Sequence, residues 1–117
     1  MGYHVDVALA LPATEMQRLE REIVEAGFYP SIDEFRELWL RRTATGDVWV
    51  YGTEDLKRYG DEPEVRFIRH FIKTVPHQLA VVGSEFDDVE EENTLDRVFF
   101  EVVESDDPCK WNEISFL

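Results

Sequence analysis

Apolar side chains at Val5, Val7, Leu9 and Leu11 alternate with His4, Asp6, Ala8 and Ala10, and Pro12 ends the alternation. A period of two belongs to a strand with one buried face, and a proline has no N–H with which to continue the ladder. Directly afterwards the period becomes helical: Met16, Leu19, Ile23 and Ala26 make one apolar face. Thr14 and Gln17 have the spacing of a capping box, and Gly27 stands where a left-handed residue closes a helix. A strand that gives way so abruptly to an amphipathic helix must be covered by it, so a sheet layered against helices is the first constraint on the fold.

Further along, Ser31 and Glu34 form a second capping box, followed by Ile32, Phe35, Leu38 and Trp39 at helical spacing. This predicts a helix over 32–43, in preference to a competing reading in which 38–43 is a strand turning at Thr45-Gly46-Asp47. A strand follows at 48–51. Residues 53–64 read as loop or a short helical turn, and Pro63 suits the first turn of a third helix. Val65, Ile68, Phe71, Ile72 and Val75 are its buried face, before Pro76. Strands are expected at 79–83, 98–103 and 113–117. The class is α+β, a small antiparallel sheet packed against two to three helices. All 117 residues form a single domain, with a strand-helix-helix unit over 5–42 and a β-α-β-β portion over 48–117.

Charge is the second constraint. The formal net charge is −14, and from residue 85 onward twelve acids face only Arg97 and Lys110. Within EFDDVEEE, residues 85–92, six of eight positions are carboxylates, which the pattern places on a long connection between two strands. Such a field repels nucleic acid and anionic membranes, and it speeds encounter with basic partners. Nine arginines against three lysines also suit a salty cytoplasm. A single cysteine, Cys109, forms no internal disulfide, and the N-terminal residues carry neither a leader pattern nor a membrane-length apolar run, so a cytoplasmic location is expected.

Residues 5–42 resemble the ribbon-helix-helix unit of small bacterial and archaeal repressors and antitoxins. The likeness rests on the alternating strand closed by Leu11-Pro12, the helix ending near Ala26-Gly27, and Tyr29-Pro30-Ser31 leading into Glu34-Phe35. It implies a dimer paired through residues 3–11, a DNA-reading face on the strand, and a phosphate anchor at Ser31. The reading positions would be His4, Asp6, Ala8 and Ala10, where base edges call for arginine, lysine or amide side chains.

No other constellation carries chemistry. The histidines at 4, 70 and 77 lack metal-ligand spacing, and the acidic run lacks the central glycine of a calcium loop. Cys109 sits in DDPCKW, where neighbouring carboxylates disfavour a thiolate nucleophile. Glycine-rich phosphate loops and metalloprotease motifs are absent from the sequence. Arg66, Arg69, His70 and Lys73 share the exposed side of the third helix. The expectation is a protein without catalytic, cofactor or metal sites. Its surface around Glu85, Asp87, Asp88, Glu90, Glu91 and Glu92, with Asp106 and Asp107 as a second patch, docks on a basic nucleic-acid-handling enzyme or toxin. By charge and size it is similar to phage-encoded nucleic-acid mimics that act against restriction or CRISPR machinery, and to antitoxins; a dimeric ribbon-helix-helix transcriptional regulator is the alternative.

Overall fold

In the computed structural model, which describes residues 4–57, 63–85 and 87–117, the alternating segment is strand β1 (His4–Pro12). It is followed by helix α1 (Ala13–Glu25), helix α2 (Ile32–Leu38) and strands β2 (Leu40–Thr45) and β3 (Val48–Lys57). Helix α3 (Pro63–Ile72) precedes β4 (Gln78–Val82), β5 (Val89–Asn93), β6 (Phe100–Glu104) and β7 (Asn112–Phe116). Five strands form one antiparallel sheet in the order β2-β3-β1-β4-β5, and β6 and β7 form a separate hairpin. This is the α+β arrangement the sequence implies.

Sheet, helices and hairpin make three layers. Val5, Val7, Leu9 and Leu11 face the helices and pack with Met16, Leu19, Ile23, Phe35, Ile68 and Phe71. Ala8 and Ala10, expected on an outward face, are fully buried beneath the β6-β7 hairpin with Val50, Ala80, Phe99 and Phe100. Their methyl groups are small enough for a second layer to close over β1, which a period-two pattern alone cannot distinguish from exposure. The hairpin is fixed by the buried amide of Gln78, which donates to Phe100 O (2.7 Å) and accepts from Phe99 N (2.8 Å).

β1 lies at the centre of the sheet. It pairs with β3 from His4↔Lys57 to Pro12↔Val48, and with β4 from Asp6↔Val82 to Ala10↔Gln78. Both of its edges are thus bonded within the chain, so the two-chain ribbon implied by the ribbon-helix-helix likeness would have to displace β3 or β4.

Local signals were used unevenly. α1 starts at Ala13 with Pro12 as its N-cap, so the Thr14-Gln17 box is not used. Its C-terminus closes as expected, with Gly27 at φ 89, Gly27 N bonded to Val24 O and Phe28 N to Ile23 O. Ser31 Oγ accepts from Glu34 N (3.2 Å) and caps α2. The helix expected over 32–43 stops at Leu38, and β2 follows, joined to β3 through Gly46 at φ 60. The competing strand reading is therefore the correct one: after Trp39 no apolar residue continues the helical stripe, whereas pairing with β3 satisfies the backbone. β3 runs on to Lys57, so the loop expected from 53 begins later; residues 58–62 of that stretch lie outside the described set.

α3 links β3 to β4 across the helix face of β1. Val65, Ile68, Phe71 and Ile72 are its buried side. The long connection expected for the acidic run is not formed: its second half, from Val89, is the strand β5, and its first half belongs to the short segment 83–88 that joins β5 to β4. β4 is buried along its whole length and pairs with β1 on one side only, so its other edge needs a ladder partner whatever residues supply it. No helix among the described residues is long and apolar enough to cross a membrane.

Candidate functional site

β5 is one edge of the five-stranded sheet, and its register assigns each glutamate to a face. Glu92 stands opposite Leu79 and Glu90 opposite Val81, both on the helix side; Glu91 stands opposite Ala80, on the hairpin side. All three are exposed.

The two helix-side glutamates have partners within the chain. Arg69 Nη2 donates to both carboxylate oxygens of Glu90, at 2.8 Å to Oε1. Glu92 Oε1 lies 2.7 Å from Nε2 of the buried His77, whose Nδ1 faces Val75 O at 2.7 Å. Both ring nitrogens thus meet oxygen atoms at hydrogen-bonding distance. The basic stripe of α3 lies alongside: Arg66, Arg69, His70 and Lys73 share with Ile72 and Glu92 a depression of about 490 Å³. On the helix side Glu90 is therefore paired with a cation of the chain, and Glu92 has a hydrogen-bonding partner in His77.

Glu85, Asp87 and Glu91 are exposed, and no cation among the described residues reaches them. Asp88 is half-buried in the turn leading into β5, where its N–H donates to Glu85 O (3.1 Å) and its carbonyl accepts from Gly83 N (2.7 Å). The second expected patch belongs to the turn between β6 and β7. Asp107 is committed to that turn, its carboxylate accepting from Cys109 N (2.9 Å) and its N–H donating to Ser105 Oγ (3.1 Å), while Asp106 is exposed. The two patches share one end of the sheet, because Cys109, Lys110 and Asn112 line a hollow of about 150 Å³ with Asp6, Val82, Gly83 and Ser84. Lys110 Nζ lies 3.5 Å from Asp6 Oδ2 between them. The eight expected residues thus fall in two groups, one on β5 and the segment before it and one at the turn between β6 and β7, with Lys110 and Asp6 between them.

One polar cluster lies outside the expected set. Glu20, only 1 % exposed, accepts from Arg36 through Nε (2.6 Å) and Nη2 (3.0 Å), and from the Tyr51 hydroxyl (2.8 Å). It ties α1, α2 and β3 together. Burial, and after it the bond to Glu20, pushes the Tyr51 hydroxyl up to about 12, and the Glu20 carboxylate raises Arg36 above its ordinary value. The signal was present in sequence: Glu20 falls in the apolar stripe between Leu19 and Ile23, where a carboxylate needs a partner. With Phe35 packed against Tyr51 and Trp39 against Phe35, the cluster is a brace that is buried at Glu20 and Tyr51 and open to solvent at Arg36.

No group of three or more histidine, cysteine or acidic side chains among the described residues is arranged to hold a metal ion. Cys109 is exposed at the hairpin turn. Comparison with known protein families, curated proteins and solved structures finds no match for this chain.

Proposed function

We propose that this chain is a binding protein that docks its carboxylate-rich surface on a basic, nucleic-acid-handling protein, an enzyme or a toxin, in place of the nucleic acid. The observation that carries the reading is the ordering of the acidic run: Glu90, Glu91 and Glu92 are held on a regular edge strand, next to the exposed Glu85 and Asp87. Same-side carboxylates on a strand stand roughly 6.6 Å apart, and the opposite face fills the interval. A nucleic-acid strand carries a charge about every 3.4 Å; with Glu90 held by Arg69 and Glu92 by His77, it is Glu91, together with the exposed Glu85 and Asp87, that offers free anions to a groove lined by arginine and lysine. A net charge of −14 opposes compact folding by self-repulsion, and a cationic partner relieves that cost. The ribbon-helix-helix regulator is the weaker reading, since β1 has no open edge.

The test is affinity capture from a cell lysate at low and high salt, followed by competition. A captured protein supports the reading if it handles nucleic acid, is released by duplex DNA, and is not retained by the triple variant Glu85→Gln, Asp87→Asn, Glu91→Gln. Retention by that variant, or indifference to duplex DNA, contradicts it.

A further inference from the structure

The sheet ends in two edge strands, and they are guarded differently. β2 carries an irregularity: its register with β3 shifts between Arg41 and Thr43, and such a bulge bends an edge away from incoming strands. β5 has no such device. It keeps an unbroken register with β4 through all five pairs, from Gln78↔Asn93 to Val82↔Val89, and no other strand among the described residues bonds its outer side. A regular edge presents alternate N–H and C=O groups to whatever extended chain can approach.

We propose that β5 accepts an extended arginine- or lysine-rich segment of the partner as a sixth strand of the sheet. The proposal rests on the acidic-surface reading above and specifies the partner's binding element. The site is the open backbone edge; the charge selects the occupant. Two copies of β5 paired antiparallel about Glu91 would set Glu91 against Glu91 and Glu90 against Glu92, so like charges oppose self-addition. A basic residue opposite Glu91 turns that central pairing into an attractive one. Because Arg69 and His77 already hold Glu90 and Glu92 on the helix side, the uncompensated partner-facing charge is Glu91, on the hairpin side. The incoming strand is therefore one whose cationic side chains alternate, with the basic row on the hairpin side and small polar residues towards α3.

The experiment uses the full chain and a capped peptide of alternating arginine and threonine, compared with the same peptide N-methylated at every backbone amide. Methylation keeps the charge and removes the donors that a strand must supply. The expected result is binding of the unmethylated peptide by fluorescence anisotropy, slower hydrogen exchange at the amides of β5, and at least about a tenfold loss on methylation. Glu91→Gln should weaken binding severalfold and Glu91→Arg abolish it, with unchanged circular dichroism. Equal binding of the two peptides overturns strand addition and leaves the charge-driven reading standing. Failure of the unmethylated peptide to bind or to protect β5 also overturns it, while capture of a DNA-displaceable partner decides the broader reading separately.

Discussion

The Tyr51 hydroxyl donates to Glu20 Oε2 across 2.8 Å in a region where both residues are at most 1 % exposed. Arg36 closes the same carboxylate from its half-exposed side with two further bonds. Removing the carboxylate strands the phenol and leaves a void beneath α2. Glu20→Ala should cost about 2–4 kcal/mol, whereas Tyr51→Phe, which leaves the Arg36 pair intact, should cost about 1–2 kcal/mol. Urea denaturation of the two variants checks the order.

The same pair sets an alkaline limit. Tyr51 holds its proton up to about pH 12 in the folded chain, chiefly because it is buried, while an unfolded tyrosine releases it near pH 10. The folded state therefore binds more protons than the unfolded one between these values. Its contribution is fully present below about pH 10 and is lost as pH rises through about 12; two units correspond to roughly 3 kcal/mol. Stability curves of the wild type and Tyr51→Phe should approach and then cross within that window, the variant falling less steeply.

At Gly52 the hairpin comes close against the sheet. A Cβ there would lie 3.0 Å from Phe116 Cζ and 3.2 Å from Arg42 Nε. Phe116 is packed edge-on against the buried Phe100, so it has little room to yield. Gly52→Ala should destabilise by about 1–2 kcal/mol, and Gly52→Val by more, read from thermal melts.

What the sequence disclosed follows from where each element's structure is decided. β1, α1 and α3 carry their own period, so their buried faces can be read from Val5 to Leu11, Met16 to Ile23 and Val65 to Ile72. β2 and β5 are set by their neighbours. Arg41 and Arg42 become strand because β3 lies beside them, with Arg41 over the Trp49 ring. Glu90, Glu91 and Glu92, poor strand formers, become strand because the buried β4 has an edge to satisfy. The positions of the candidate carboxylates were thus legible and their order was not; neither was the pairing of Glu90 with Arg69 and of Glu92 with His77, residues 21 and 15 positions away in sequence. Ala8 and Ala10 hid a second buried face because alanine is silent about burial.

The Arg69-Glu90 pair is exposed on both sides, so it contributes little to folding. Arg69→Ala should change stability by less than about 1 kcal/mol. It also removes a positive charge from beside the acidic edge, and affinity for a cationic partner should rise severalfold at low salt. Titration calorimetry against a captured partner reads both the sign and the size of that change.

The most direct measurement is the dissociation constant of the captured nucleic-acid-handling partner as a function of salt, for the wild type and for the variant neutralised at Glu85, Asp87 and Glu91. A surface that stands in for a phosphate backbone weakens steeply with salt, loses much of that slope in the variant, and is displaced by duplex DNA. A dissociation constant flat in salt, or the same slope in both proteins, would contradict the account.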